Sequence, residues 1–145
     1  MDQESALPKV VMGFDFGTKK IGVAIGQTVT KSARALATIP AKEGIPNWQI
    51  LDSLIKKWRP NAFVVGIPLN MDGTPQAVSA KAQAFAELLR SRYQLHVYEM
   101  DERLTTKAAK EQLFNEGGFK ALQDGQVDRV AAQLILQNWF VESGF

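Results

Sequence analysis

Three acidic residues stand where carboxylate chemistry could be done. Asp15 closes the apolar run Val10 to Phe14, Glu102 follows the strand-like stretch Leu95 to Met100, and Asp128 opens the long apolar segment that ends at Phe140. All three fall at the ends of expected elements, where an open α/β sheet gathers its ligands. The chain has no cysteine and a single histidine, His96. Thiol catalysis, Cys-based zinc sites and nuclease mechanisms that need two histidines are therefore excluded, and carboxylates, lysines or hydroxyls must carry any chemistry. An oxygen-only cluster suits Mg²⁺ or Mn²⁺. Two such ions ~3.5–4 Å apart activate a water and stabilise the leaving oxygen in phosphodiester cleavage.

Each acid also has an ordinary role open to it. Asp15 can accept hydrogen bonds from the Gly17–Thr18 turn. Asp128 can complement a helix dipole from the first turn. Asp101 competes with Glu102: strand alternation groups Asp101 with Leu95 and Val97, and Glu102 with His96 and Tyr98, without deciding which of the two faces a site. Asp72 lies in an Asp-Gly turn that needs no function. Lys19 and Lys20 follow the first acid, and Arg103 and Lys107 sit one helical turn apart after the second. These cations either hold phosphates or form a solvated basic face.

The elements that must position these residues follow from periodicity. Val10 to Phe14 is apolar on both faces, as in a buried central strand. Ile21, Val23 and Ile25 alternate with Gly22, Ala24 and Gly26, the period of a second strand hairpinned to the first. Lys31 to Pro40, with Ala33, Ala35, Ala37 and Ile39 on one parity, is expected to complete a meander. Glu43-Gly44 reads as a loop and Pro46 as the first turn of a helix whose apolar face is Leu51, Leu54, Ile55 and Trp58. Arg59-Pro60 ends it. Ala62 to Ile67 is a second buried strand. Thr74-Pro75 reads as the start of a helix carrying Val78, Ala82, Phe85 and Leu89. A further helix is expected over about 106–116 and a mobile loop over 117–125. The last helix, about Gln126 to Glu142, is apolar nearly all round. The order β-β-β-α-β-α-β-α-α implies an α/β fold: a mixed five-stranded sheet with helices on both faces.

The remaining bounds are loose. The length of 145 residues suits one domain, 1–145, and the net charge of +2 is compatible with a nucleic-acid partner without requiring one. The polar start MDQESALPK is unlike a signal peptide, and no apolar run approaches membrane-spanning length, so a cytoplasmic protein is expected.

The pieces FDFGTKKIGVAIG at 14–26, VGIPLNMDGT at 65–74, MDERLTT at 100–106 and VDRVAAQLIL at 127–136 together resemble the YqgF (RuvX) family. This is a branch of the RNase H-like nucleases related to the Holliday junction resolvase RuvC. The resemblance runs from Val10 to Phe140, and PLNMDGT with DERLTT gives it specificity. It implies an RNase H-like fold with strand order 3-2-1-4-5, catalytic and metal-binding carboxylates at Asp15, Glu102 and Asp128, and Glu102 rather than Asp101 as the second acid. It also implies 5′-end maturation of pre-16S ribosomal RNA. DNA is a possible substrate, and a monomer or weak dimer is the expected working form. One departure matters: RuvC-like sites carry a fourth acid about one turn beyond the helix aspartate, where this chain has Ala131 and Ala132. Junction resolution is therefore not carried over. Two further classes stay open. DFGT also resembles the phosphate-binding turn of sugar kinases and actin-like ATPases, although these clamp nucleotide between two such domains. A non-catalytic RNA-binding assembly factor would keep the acids without using them.

Overall fold

The computed structural model describes residues 9–70, 72–101 and 126–143. Six strands and three helices lie within them: β1 Val10–Asp15, β2 Lys20–Gln27, β3 Ser32–Lys42, β4 Ile45–Pro46, α1 Trp48–Trp58, β5 Ala62–Ile67, α2 Ala77–Tyr93, β6 His96–Asp101 and α3 Gln126–Ser143. The sheet order is β4-β3-β2-β1-β5-β6. β1 is central, antiparallel to β2 and parallel to β5, and β6 runs parallel to β5. This is the expected mixed α/β sheet with helices on both faces.

Alternation along β1 assigns the two faces. Met12 and Phe14 join a core with Leu51 of α1 and Phe85 and Leu89 of α2. Val11 faces the other way and packs with Ala132, Ile135, Leu136 and Phe140 of α3. β1 must therefore be apolar on both sides, as its sequence is. α1 buries Leu51 and half-buries Leu54, Ile55 and Trp58. It ends at Arg59 (φ 48°), whose N–H reaches the Ile55 carbonyl at 2.8 Å.

Four local expectations need correction. The sheet has six strands rather than five, because Glu43 (φ 50°) and Gly44 (φ 85°) form a two-residue hairpin turn, not an open loop. Positive φ at both central residues is the geometry that matches strand twist, and it pairs Ala41 with Pro46 and Lys42 with Ile45. Pro46 is thus a strand residue. Asn47 caps α1 instead, its side chain accepting from the Ile50 N–H at 3.2 Å. Thr74-Pro75 does not begin α2: Pro75 bridges back to Leu69, and Gln76 is the N-cap, its N–H donating to Ser79 Oγ at 2.8 Å. Finally, the register of β3 on β2 shifts between Val23 and Ala24. A bulge flips every residue beyond it, so Ala33 packs on the α3 face while Ile39 packs on the opposite one. The helix expected at 106–116 and the loop at 117–125 lie outside the described residues.

Candidate active site

β1 and β2 meet at one end of the sheet through a tight turn. A Cβ on Gly17 would lie 2.4 Å from the Lys20 carbonyl oxygen, so only glycine allows this closure. The β3–β4 hairpin abuts the same turn: the Ala41 N–H donates to the Lys19 carbonyl at 2.8 Å and the Gly44 N–H to the Thr18 carbonyl at 3.0 Å. This is also the carboxyl end of β1, β5 and β6, since Asp15 is level with Gly66, and Gly66 with Met100.

Asp15 is the last residue of β1 and is 8% exposed. By alternation it shares the face of Val11 and Gly13. Gly13 lies against Leu136 and Ala132 of α3, so Asp15 is on the α3 side. Its partner across the β1–β2 ladder is Gly22. A Cβ on Gly22 would lie 1.9 Å from the backbone oxygen of Asp128 and 3.0 Å from the Arg129 nitrogen. The first turn of α3 thus rests on bare backbone at the residue paired with Asp15. Two acids far apart in sequence are delivered to the same end of the same face.

Asp128 is half-buried, and that burial pushes its carboxyl above the usual range, with Lys20 and then Arg129 pulling it back down. Lys20 and Lys19 are exposed. Lys20 therefore stands beside Asp128 as the sequence allowed, and Arg129 joins it. Arg129 was not singled out from the sequence, although its adjacency to Asp128 in VDR was the available signal. Asp72 is committed to its turn: its carboxylate accepts from the Thr74 N–H at 3.0 Å and from the Thr74 hydroxyl at 2.7 Å.

β6 fixes the parity of its acids. Val97 packs in the α1–α2 core and Glu99 accepts from Arg90 of α2 at 3.2 Å, whereas Tyr98 and Met100 pack toward α3. Asp101 has the parity of Val97 and Glu99, away from Asp15 and Asp128. Glu102, Arg103 and Lys107 lie outside the described residues. Among the described residues, no group of three acidic or imidazole side chains forms a metal-holding cluster.

The sheet order, with helices on its two faces, is an RNase H-like fold of the RuvC type. The chain is similar in structure to T. thermophilus RuvC solved in complex with a Holliday junction substrate: TM-score 0.55, 18% identity, covering 94% of this chain and 96% of that one. A family model, RuvX, described as Holliday junction resolvase, matches residues 9–142. The chain belongs to the RuvX family. It is 52% identical over 132 residues to a protein named "Putative pre-16S rRNA nuclease" from Aeromonas hydrophila subsp. hydrophila, covering 91% of this chain and 94% of the relative. It is 50% identical over 129 residues to one of the same name from Haemophilus influenzae (strain PittGG), covering 89% and 93%.

Proposed function

We propose that this chain is a metal-dependent nuclease that hydrolyses RNA phosphodiester bonds, acting in 5′-end processing of pre-16S rRNA, with Asp15, Glu102 and Asp128 as its catalytic carboxylates. The observation that carries the reading is the seating of Asp128 on Gly22, the ladder partner of buried Asp15. Placing two carboxylates at one end of one sheet face is costly unless a cation or strong donors meet them. A buried and a half-buried carboxylate, with oxygen as the only donor type, fit Mg²⁺ or Mn²⁺. Glu102 is the proposed third ligand, because Asp101, the other acid at this strand end, has the parity of the opposite face. When bound, the ion lowers the pKa of a water and offsets charge on the leaving oxygen.

The chain's own residues then do the positioning. Lys19, Lys20 and Arg129 offer cationic donors to non-bridging phosphate oxygens beside the acids, and Arg103 and Lys107 are proposed to extend that set. The rigid β1–β2 turn, locked to the β3–β4 hairpin, holds the lysines in register with Asp15. RNA is favoured over a four-way DNA junction by the names of the close relatives and by the buried Ala131 and Ala132, both 0% exposed. They occupy the turn where RuvC-like sites carry a fourth acid. The test is cleavage of a pre-16S 5′-leader RNA and of a DNA junction in Mg²⁺ or Mn²⁺, by wild type and Asp15→Asn. Cleavage of the RNA by wild type alone is expected. Equal cleavage by both proteins, or none by either, would refute the reading.

A further inference from the structure

The opposite end of the sheet is also basic. There the amino end of β1, the β2–β3 hairpin and the carboxyl end of α1 are tied together. The Lys9 and Val10 N–H groups both donate to Asn61 Oδ1, at 3.1 and 2.8 Å, and the Thr28 N–H donates to the Lys9 carbonyl at 3.1 Å. Around this knot stand Lys9, Lys31, Arg34, Lys57 and Arg59. Among the described residues none of the five is in an ion pair: the salt bridges found there use Arg90 and Arg92 alone. The one acid of α1, Asp52, is taken up by Arg92 at 2.7 Å. Five cations with no ion pair among the described residues make a positive surface that attracts polyanions.

The surface contains a built recess. A cleft of about 520 Å³ is lined by Gln27, Thr30, Ser32, Arg34 and Trp58 together with aliphatic side chains. The Arg34 guanidinium lies 4.9 Å from the Trp58 ring centroid and Lys57 Nζ lies 5.6 Å from it. The indole N–H of Trp58 is buried without a hydrogen-bond partner among the described residues. A planar cation seated on an aromatic ring, hydroxyls, an amide and spare cationic donors together suit a sugar-phosphate strand. A bilayer would be offered little by this end, where Val29 of the hairpin and Val141 at the end of α3 are the exposed large apolar side chains among the described residues.

We propose that this cleft and its five cations are a second docking site for single-stranded RNA, holding the flank of the strand whose scissile phosphate lies at the carboxylate end. The proposal rests on the nuclease reading above for the identity of the strand. The cleft opens on the α1 face and the acids on the α3 face, so the strand must round an edge of the sheet, and the length of β1, six residues, or about 20 Å at ~3.3 Å per residue, is the least it has to cover. A helically stacked strand with a phosphate every ~3.4 Å needs at least about six nucleotides for this. RNAs shorter than this reach one end only.

The test is fluorescence anisotropy of labelled single-stranded RNA with Asp15→Asn, which keeps the strand intact, in two lengths of about four and about twenty nucleotides. The longer RNA should bind more tightly. Adding Arg34→Gln and Lys57→Gln should reduce that gain about tenfold and lower the slope of log affinity against log salt by about 1.4, or ~0.7 for each phosphate no longer neutralised. Lys31→Asn with Arg59→Asn is the second pair: both residues have positive φ, 52° and 48°, which Asn tolerates, so these substitutions preserve the fold. They should act in the same direction. Unchanged binding of the long RNA by both pairs would overturn the proposal. So would unchanged RNA binding accompanied by diminished binding to phosphatidylserine vesicles, which would assign the surface to a membrane. Failure of the nuclease reading looks different: wild type cuts no RNA, while the length dependence and its loss in the variants persist.

Discussion

Gly22→Ala tests the architecture at the point where strand, helix and both acids meet. The new Cβ would lie 1.9 Å from the Asp128 oxygen and 2.3 Å from its carbonyl carbon, where ordinary contact begins near 3.4 Å. The first turn of α3 must therefore retreat by about 1.5 Å, and the obstacle is backbone on both sides, so no rotamer change relieves it. The helix cannot slide to make room. Further along, Leu136 packs over Gly13 and Phe140 over Gly26, so closely that a Cβ on either glycine would lie 3.2 and 2.9 Å from them, so its start lifts off the sheet. Overpacking of this kind costs about 1–3 kcal/mol, a fall of roughly 3–10 °C in Tm for a chain of this size. The effect on activity should be larger in proportion, since a ~1 Å misplacement of a catalytic group costs about 10²-fold. Gly13→Ala is the control, because its Cβ would meet a side-chain carbon at 3.2 Å that can yield by a few tenths of an ångström. It should melt slightly below wild type and keep most of its cleavage rate. Thermal melts and single-turnover RNA cleavage of the three proteins decide the matter. A Gly22→Ala protein that melts and cleaves like wild type would refute the seating of α3 on β2, and with it the convergence of Asp15 and Asp128.

Asp15→Asn should lose cleavage and, without metal, melt at the same or a higher temperature than wild type. Mg²⁺ or Mn²⁺ should raise the Tm of wild type more than that of the variant; equal shifts would remove Asp15 from the ligand set. Leu136→Ala should cost about 2–5 kcal/mol, because Leu136 is fully buried between α3 and β1; a urea midpoint within error of wild type would contradict that packing. Asp52→Asn should lower Tm slightly at neutral pH, on the small scale of exposed ion pairs. The hydrogen bond from Arg92, then that from Tyr93, lowers the Asp52 pKa below its usual 3.8. Its stabilisation is therefore complete above that value and lost as pH falls through the lowered one, so wild type and variant should converge in acid. A difference that grows as pH falls below 3.8 would contradict the assignment.

Much of this was legible in the chain. β1 and β5 read as buried strands because a strand covered on both faces cannot alternate, and Asp15 showed itself as the polar residue that ends the run. The apolar stripes of α1 and α2 were equally plain: Leu51, Ala82, Phe85 and Leu89 are all buried. The misreadings share a cause, in that each turned on backbone geometry set by neighbours. Pro46 suits a first helical turn as well as an edge strand, and only positive φ at Glu43 chose the strand. Thr74-Pro75 has the composition of a helix start, but Asn70 Nδ2 donates to the Thr74 hydroxyl at 2.9 Å and that hydroxyl donates to Asp72, so the turn retains it. A one-residue bulge at β3 is invisible to period-two reasoning. For the site, alternation within β6 left Asp101 and Glu102 equivalent until Glu99 was seen to meet α2. Arg129 went unnoticed because a cation following a helix-opening acid reads as solvated surface.

The covering of the sheet carries a consequence for how the molecule is made. Every strand precedes α3 in the chain, and among the described elements α3 is the one that shields Val11, Ala24 and Val64. During vectorial synthesis, in which earlier segments fold first, the meander β1–β3 and the crossover to β5 and β6 can form while that apolar face is still bare. The segment that shields it also delivers Asp128. Closure of the greasy face and arrival of Asp128 are therefore one event, and, with Asp128 in its proposed role, a nascent chain halted before α3 is at once sticky and unable to cut.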